Sequence, residues 1–250
     1  MSAEHAGTLL AAWEAAAAQP PLQRALTLLA AARPERSHDD WLHVPIGERD
    51  RQLLALRAAL FGPRIDALAD CPRCGEQLEL DFDAGQITVP ASAARSEVTV
   101  EAHGYRLRCR TPDSADLLAA AALPDDAARA LLLERCVTQA LKEGTAVAPS
   151  ALPAALRTEV ERALAGADPQ AEIGIALACP ACAHEWTIEF DVLAYLWSEL
   201  DEWAGRLLRD VHDLASAYGW SERDILGMSA ARRGWYLDML AATHAPAAPF

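Results

Sequence analysis

The sequence predicts an α+β fold, mostly helical, on three observations. Apolar residues recur at helical spacing near both ends of the 250-residue chain. Short stretches between them alternate apolar and polar, the period of half-buried strands. One cysteine-bearing stretch occurs twice. With 52% hydrophobic and 23% charged residues the chain has ample material for a packed core, and a disordered ground state is excluded.

Residues 8–33 read as helical. Leu9, Leu10 and Trp13 share a face, Pro20-Pro21 interrupts it, and Leu22, Leu26 and Leu29 resume it. Ser37 to Pro45 reads as a polar turn. A helix is expected over 47–61, with Leu53, Leu54, Leu56 and Leu60 apolar and Gly62-Pro63 as its stop. Alternation from Leu78 to Asp83 predicts a strand. Residues 97–110 predict a hairpin turning at His103-Gly104. Two or three Ala/Leu-rich helices are expected over 114–165, punctuated by Pro124, Pro149 and Pro153. Strands follow at Glu172–Ala178 and Glu185–Asp191. Leu193, Leu196, Leu200, Trp203, Leu207, Val211, Leu214 and Tyr218 are then spaced three or four apart. That is an apolar seam on a helix of about seven turns. Gly219 ends it, Ser221 with Asp224 marks a short helix, and Ser229 caps a last one.

The duplicated stretch is the most specific signal. Cys71-Pro-Arg-Cys-Gly-Glu-Gln-Leu-Glu-Leu-Asp-Phe-Asp83 lies over Cys179-Pro-Ala-Cys-Ala-His-Glu-Trp-Thr-Ile-Glu-Phe-Asp191, an offset of 108 residues. The apolar positions match as well: Leu78 with Trp186, Leu80 with Ile188, Phe82 with Phe190. Two residues between cysteines let a tight turn aim both sulfurs at one point, and the proline stiffens that turn. Each knuckle offers two thiolates, whereas a tetrahedral zinc takes four. Cys71, Cys74, Cys179 and Cys182 are therefore expected to hold one structural Zn2+ per chain. Redox dithiols are the competing reading, and the 104 residues between Cys74 and Cys179 exceed ordinary ribbon spacing. A helical insertion between two ribbon halves accounts for that gap.

The expected architecture is thus a split zinc-ribbon-like β core. It comprises an N-terminal helical region (1–70), ribbon halves (71–83 and 172–191), and a hairpin plus helical insertion (84–171). A long helix followed by short ones (192–243) and a frayed tail (244–250) complete it. Cys109, in an alternating strand, and Cys136, in a Leu-rich helix, are expected to be buried, inert thiols. His184 could replace a sulfur but is expected to face solvent. His38, Asp39, Asp40 and His43 lack regular ligand spacing and read as a solvated loop.

The net charge of −14 disfavours nucleic acid, whose phosphates the chain would repel. The segment Ser221–Leu240 has a helix-turn-helix outline. Its Arg223, Arg232 and Arg233 are nearly balanced by Glu222, Asp224 and Asp238, however. Met1 to Ala18 lacks a basic n-region, and no apolar window of about 18 residues occurs. The expectation is a cytoplasmic protein without membrane contact. No phosphate loop, dinucleotide fingerprint, G-x-S-x-G elbow or H-E-x-x-H motif is present. Enzymatic activity and a small-molecule substrate are therefore not expected.

Several runs carry a resemblance. They are Arg24-Ala-Leu, Ile46-Gly-Glu-Arg-Asp-Arg-Gln-Leu-Leu-Ala-Leu-Arg57, Leu60-Phe-Gly62 and Cys71-Pro-Arg-Cys-Gly75. Trp197-Ser-Glu-Leu-Asp-Glu-Trp203 and Tyr218-Gly-Trp-Ser-Glu-Arg-Asp-Ile-Leu226 complete the set. Together they resemble the T4-family baseplate hub assembly chaperones of contractile phage tails and phage-tail-like injection systems. The similarity covers most of the chain and is weakest over about 111–170. It implies a non-enzymatic cytoplasmic factor that binds hub, spike or other tail proteins, and it assigns no individual functional residue. The zinc reading rests on the repeat alone. A zinc-ribbon adaptor or regulator unrelated to phage tails is the alternative. Trp197, Trp220, Trp235 and Tyr236 are candidate partner anchors, since aromatic residues concentrate in interface hot spots. The short helices after Gly219 are expected to have little core to pack against. Deleting 219–250 should then spare the fold.

Overall fold

The computed structural model describes residues 3–244, with side chains over 6–243. The chain divides into two compact units, residues 34–193 and residues 1–33 with 194–250.

The larger unit begins with α3 (His38–Leu42) and α4 (Ile46–Phe61), which follow α1 and α2 of the other unit. Ser37 caps α3 in a capping box with Asp40, and Trp41 is buried. The expected polar turn is therefore a capped helix. Its polar residues face water while one aromatic anchors it. His38, Asp39, Asp40 and His43 do not converge: Asp40 bonds Ser37 and His43 reaches Asp113.

β1 (Arg64–Asp70) pairs antiparallel with β2 (Gln77–Asp83), placing Ile65 opposite Phe82 and Ala69 opposite Leu78. β3 (Glu97–Ala102) and β4 (Tyr105–Arg110) form the expected hairpin. His103 and Gly104 both take positive φ, at 53° and 80°, as a two-residue hairpin turn of matching twist requires.

The stretch 114–165 holds the three expected helices, with Pro124 and Pro153 at the starts of two of them, and adds two strands that were not expected. α5 (Ser114–Ala120) and α6 (Asp125–Cys136) are followed directly by β5 (Val137–Lys142) and β6 (Thr145–Ala146), and only then by α7 (Ala154–Ala167). β5 pairs with β4 to give the sheet order β3-β4-β5-β6. Its apolar face carries Val100, Leu107, Cys109, Val137 and Ala140, and Leu152, Leu156 and Val160 cover it. Where β4 meets α5, the fully buried carboxylate of Asp116 receives two bonds from Arg110 and one from Arg135. β7 (Gly174–Ala178) and β8 (Glu185–Glu189) form the last hairpin.

The smaller unit holds α1 (Ala3–Ala17), α2 (Pro21–Ala32), nearly all of α8 (Val192–Tyr218), α9 (Glu222–Leu226) and α10 (Ala230–His244). The break at Pro20-Pro21 and the seam on α8 both form as expected. Leu196, Leu200, Leu207, Val211 and Leu214 are buried, whereas Tyr218 is exposed. Leu10 packs with Ala204 and Leu207. The short C-terminal helices depart from expectation, because they have a core of their own. Ile225 is buried with Val211 and Leu214, and Leu226, Tyr236, Leu237 and Leu240 pack around them. Among the described residues no helix is long and apolar enough to cross a membrane. Of the tail 244–250, expected to fray, His244 is instead the last residue of α10, and 245–250 lie outside the described residues.

Candidate metal centre

Each cysteine pair sits on the turn of a two-stranded hairpin, one between β1 and β2, the other between β7 and β8. The turns repeat bond for bond. Cys71 N–H donates to Glu76 O at 2.8 Å and Gly75 N–H to Cys71 O at 2.9 Å. In the second hairpin Cys179 N–H donates to His184 O and Ala183 N–H to Cys179 O, both at 2.9 Å. The residue after the second cysteine is left-handed in each, with φ +77° at Gly75 and +54° at Ala183. This geometry is what reverses the chain within the two residues that separate the sulfurs. Below the turns the apolar strand faces follow the sequence repeat, and Phe82 meets Phe190 edge to face at 5.7 Å.

The two turns bring all four sulfurs together. Cys71 Sγ lies 3.7 Å from Cys182 Sγ, and Cys74 Sγ lies 3.6 Å from Cys179 Sγ. The four Sγ atoms fall within 4.8 Å of one another, and all four cysteines are free thiols. Sulfurs about 2.3 Å from a central ion form a tetrahedron with edges of about 3.8 Å. The spacing therefore fits one ion, whereas a disulfide requires about 2.0 Å. Cys71 and Cys179 are buried, Cys182 is half-buried and Cys74 is exposed.

The protons of the four thiols are unevenly held. Burial opposes ionisation of Cys71, but backbone N–H groups of Cys74 and Arg73 and the neighbouring thiols outweigh it and bring its pKa to about 7. The Glu76 N–H favours the Cys74 thiolate, yet proton sharing with Cys182 and Cys179 pushes that thiol up to about 12. Such a cluster can hold a cation that replaces the shared protons. With four protein sulfurs it leaves no position for a reacting water.

His184 stands outside the cluster. Contrary to the solvent-facing expectation it is half-buried, its ring stacked on Trp186 at 5.8 Å. Cys109 and Cys136 are buried, and burial pushes both thiols up to about 11. That agrees with inert core cysteines. The aromatic candidates all lie in the smaller unit. Trp197 is half-buried under the Arg24 guanidinium, 4.3 Å above its ring. Trp220 stacks on Tyr218 and meets Tyr236 edge to face, at 4.5 and 4.8 Å. Trp235 is 73% exposed. Arg233, grouped in the sequence with surface bases, is 4% exposed. Its spacing from Leu237 and Leu240, which pack around Ile225, puts it on the inner face of α10, a signal that its charge obscured.

The structure thus defines an α+β protein in which two β-hairpins present four converging thiols. The chain belongs to the family described as T4 bacteriophage base plate protein, whose model matches residues 9–196. No curated protein and no solved structure matches the chain significantly.

Proposed function

We propose that the chain is a non-enzymatic assembly chaperone, or a baseplate-associated factor, that binds hub, spike or other tail proteins while a contractile tail or injection machine is built. The observation that carries this reading is the family match, which spans both cysteine hairpins. A baseplate is an assembly of proteins, so a member acts by contact. The proposal places that work in the cytoplasm, where thiols stay reduced.

Zinc is the ion we assign to Cys71, Cys74, Cys179 and Cys182. Four thiolates at tetrahedral spacing suit it, and a closed site makes it structural. In this reading 71–83 and 172–191 are halves of one split ribbon, and 84–171 is inserted between them. Residues 1–70 and 192–243 flank it. Apparent binding free energies of structural zinc reach about 10–16 kcal/mol in small peptides, comparable with the stability of a whole domain. Trp235, with Trp197, Trp220 and Tyr236, is assigned to the partner surface.

The test joins metal analysis to capture. Protein purified without chelator should carry about one zinc per chain, and Cys74→Ser or Cys179→Ser should lose it together with the ribbon. Tail proteins encoded beside the gene should be captured by the wild type and less well by Trp235→Ala. Absence of zinc defeats the metal assignment, and failure to capture any tail protein defeats the assembly role.

A further inference from the structure

The smaller unit contains a cavity of about 450 Å3 between α8 and the start of α10. Trp203, Arg206, Arg209, Asp210, Asp213 and Arg233 line it. Three guanidiniums and two carboxylates share this lining, and Glu202 pairs with one of the guanidiniums, Arg206, so positive and negative groups balance here in a chain of net charge −14.

The guanidiniums are not equivalent. Arg206 is tied to Glu202 at 3.3 Å. Arg209 is exposed. Arg233 is 4% exposed, and its Nη1 donates to Met228 O at 2.7 Å. Its Nε is buried with no hydrogen-bond partner. A buried donor left unpaired is rare and unfavourable. Nε and Nη2 together form the edge of a guanidinium that matches the two oxygens of a carboxylate. Asp210 does not occupy it: among the described residues no salt bridge joins Asp210 to Arg233. Burial raises the Asp210 carboxyl while Arg233 opposes that shift.

The second half of the lining narrows the ligand further. Asp210 and Asp213 offer acceptors beside the guanidiniums, so a bare anion would be attracted and repelled in the same space. A peptide segment brings acceptors on an acidic side chain and donors on its backbone. The cavity is open, with Arg206 and Arg209 at its exposed rim, so a protruding segment brings its own cover.

We propose that this cavity is a docking pocket for an Asp or Glu side chain carried on a partner polypeptide. The carboxylate is taken by Arg233 and Arg209, and backbone N–H groups beside it by Asp210 and Asp213. The identity of the partner as a tail protein rests on the assembly reading above.

Two measurements test the pocket separately from that reading. The arginine Nε–H signals of 15N-labelled full-length protein are followed by NMR. The added probe is a capped pentapeptide of alternating glycine and glutamate, its lysine counterpart, or inorganic phosphate. The Arg233 signal should move and saturate with the acidic peptide, and stay still with the basic one. Arg209→Glu, a change at an exposed position, should weaken that binding by about tenfold or more. It should weaken capture of a tail protein by a similar factor. An unmoved Arg233 signal, or binding unchanged by Arg209→Glu, overturns the pocket. An equal response to phosphate shows a simple anion site and overturns the polypeptide assignment. If the peptide binds but wild-type protein captures no tail protein, the assembly reading fails and the pocket stands.

Discussion

Ala183 and Gly75 occupy the same place in the two cysteine turns, and only one is a glycine. Both are left-handed, at +54° and +77°. That conformation costs an L-residue about 1–2 kcal/mol, because Cβ crowds the following carbonyl. Ala183→Gly should relieve the strain, less about 0.5–1 kcal/mol for the freer unfolded chain. Metal-loaded Ala183→Gly should gain about 0.5–1 kcal/mol in denaturant titration, and Gly75→Ala should lose about 1 kcal/mol. Space does not confound the second change, since a Cβ at Gly75 would meet nothing within 4 Å. A destabilised Ala183→Gly would show that the turn stores no strain. The cysteines themselves were legible because a repeat compares two copies of one solution. The left-handed residue was legible only as something small, since an alanine does not announce positive φ.

At the scale of elements, α4 is fixed at its first turn by a distant residue. Gly47 N–H donates to Asp168 Oδ2 at 2.8 Å, so a carboxylate beyond the end of α7 serves the N-terminus of α4. The approach requires a glycine: a Cβ on Gly47 would overlap Asp168 Oδ1 and lie 2.9 Å from Ala171 N. Gly→Ala within a helix ordinarily stabilises by up to about 1 kcal/mol. Here Gly47→Ala should destabilise by about 2–3 kcal/mol. Asp168→Ala should cost about 1–2 kcal/mol through the lost acceptor. The double variant should be less destabilised than the sum, because the two residues touch. Simple additivity in thermal or urea unfolding would remove the coupling. Sequence reasoning placed α4 well by its apolar spacing and its Gly62-Pro63 stop, but it could not see this tether across the chain. It also missed β1 and β5, for different reasons. In β1 two of the inward positions are alanines, Ala67 and Ala69, too small to register as alternation. β5 follows α6 with neither glycine nor proline between them, and its Ala140 and Leu141 favour helix. Pairing with β4 overrides that local preference. The turn that follows, Glu143-Gly144 with both φ positive, was its visible marker.

At the scale of the whole molecule, the question is what α9 and α10 hold together. Their aromatic residues looked, in the sequence, as though they lacked a core. In the structure Ile225 and Leu214 are each fully buried, with Val211 beside them. Leu226 also reaches the cluster of Leu10, Ala204 and Leu207. Removing residues 219–250 would uncover that side of α8. Each fully buried Leu or Ile is worth about 1.5–3 kcal/mol, so the loss should exceed about 5 kcal/mol, a large share of ordinary domain stability. The four cysteines lie in the other unit, where α7 and the four-stranded sheet supply a separate core. The truncated protein should therefore lose its helical unit, seen as reduced helical circular dichroism and binding of an apolar dye. Metal analysis should still find its metal content unchanged. An intact helical spectrum with no dye binding would return α9 and α10 to the role of dispensable, partner-facing appendages. Loss of the metal along with the helices would instead show that the four-thiol centre needs the smaller unit to persist.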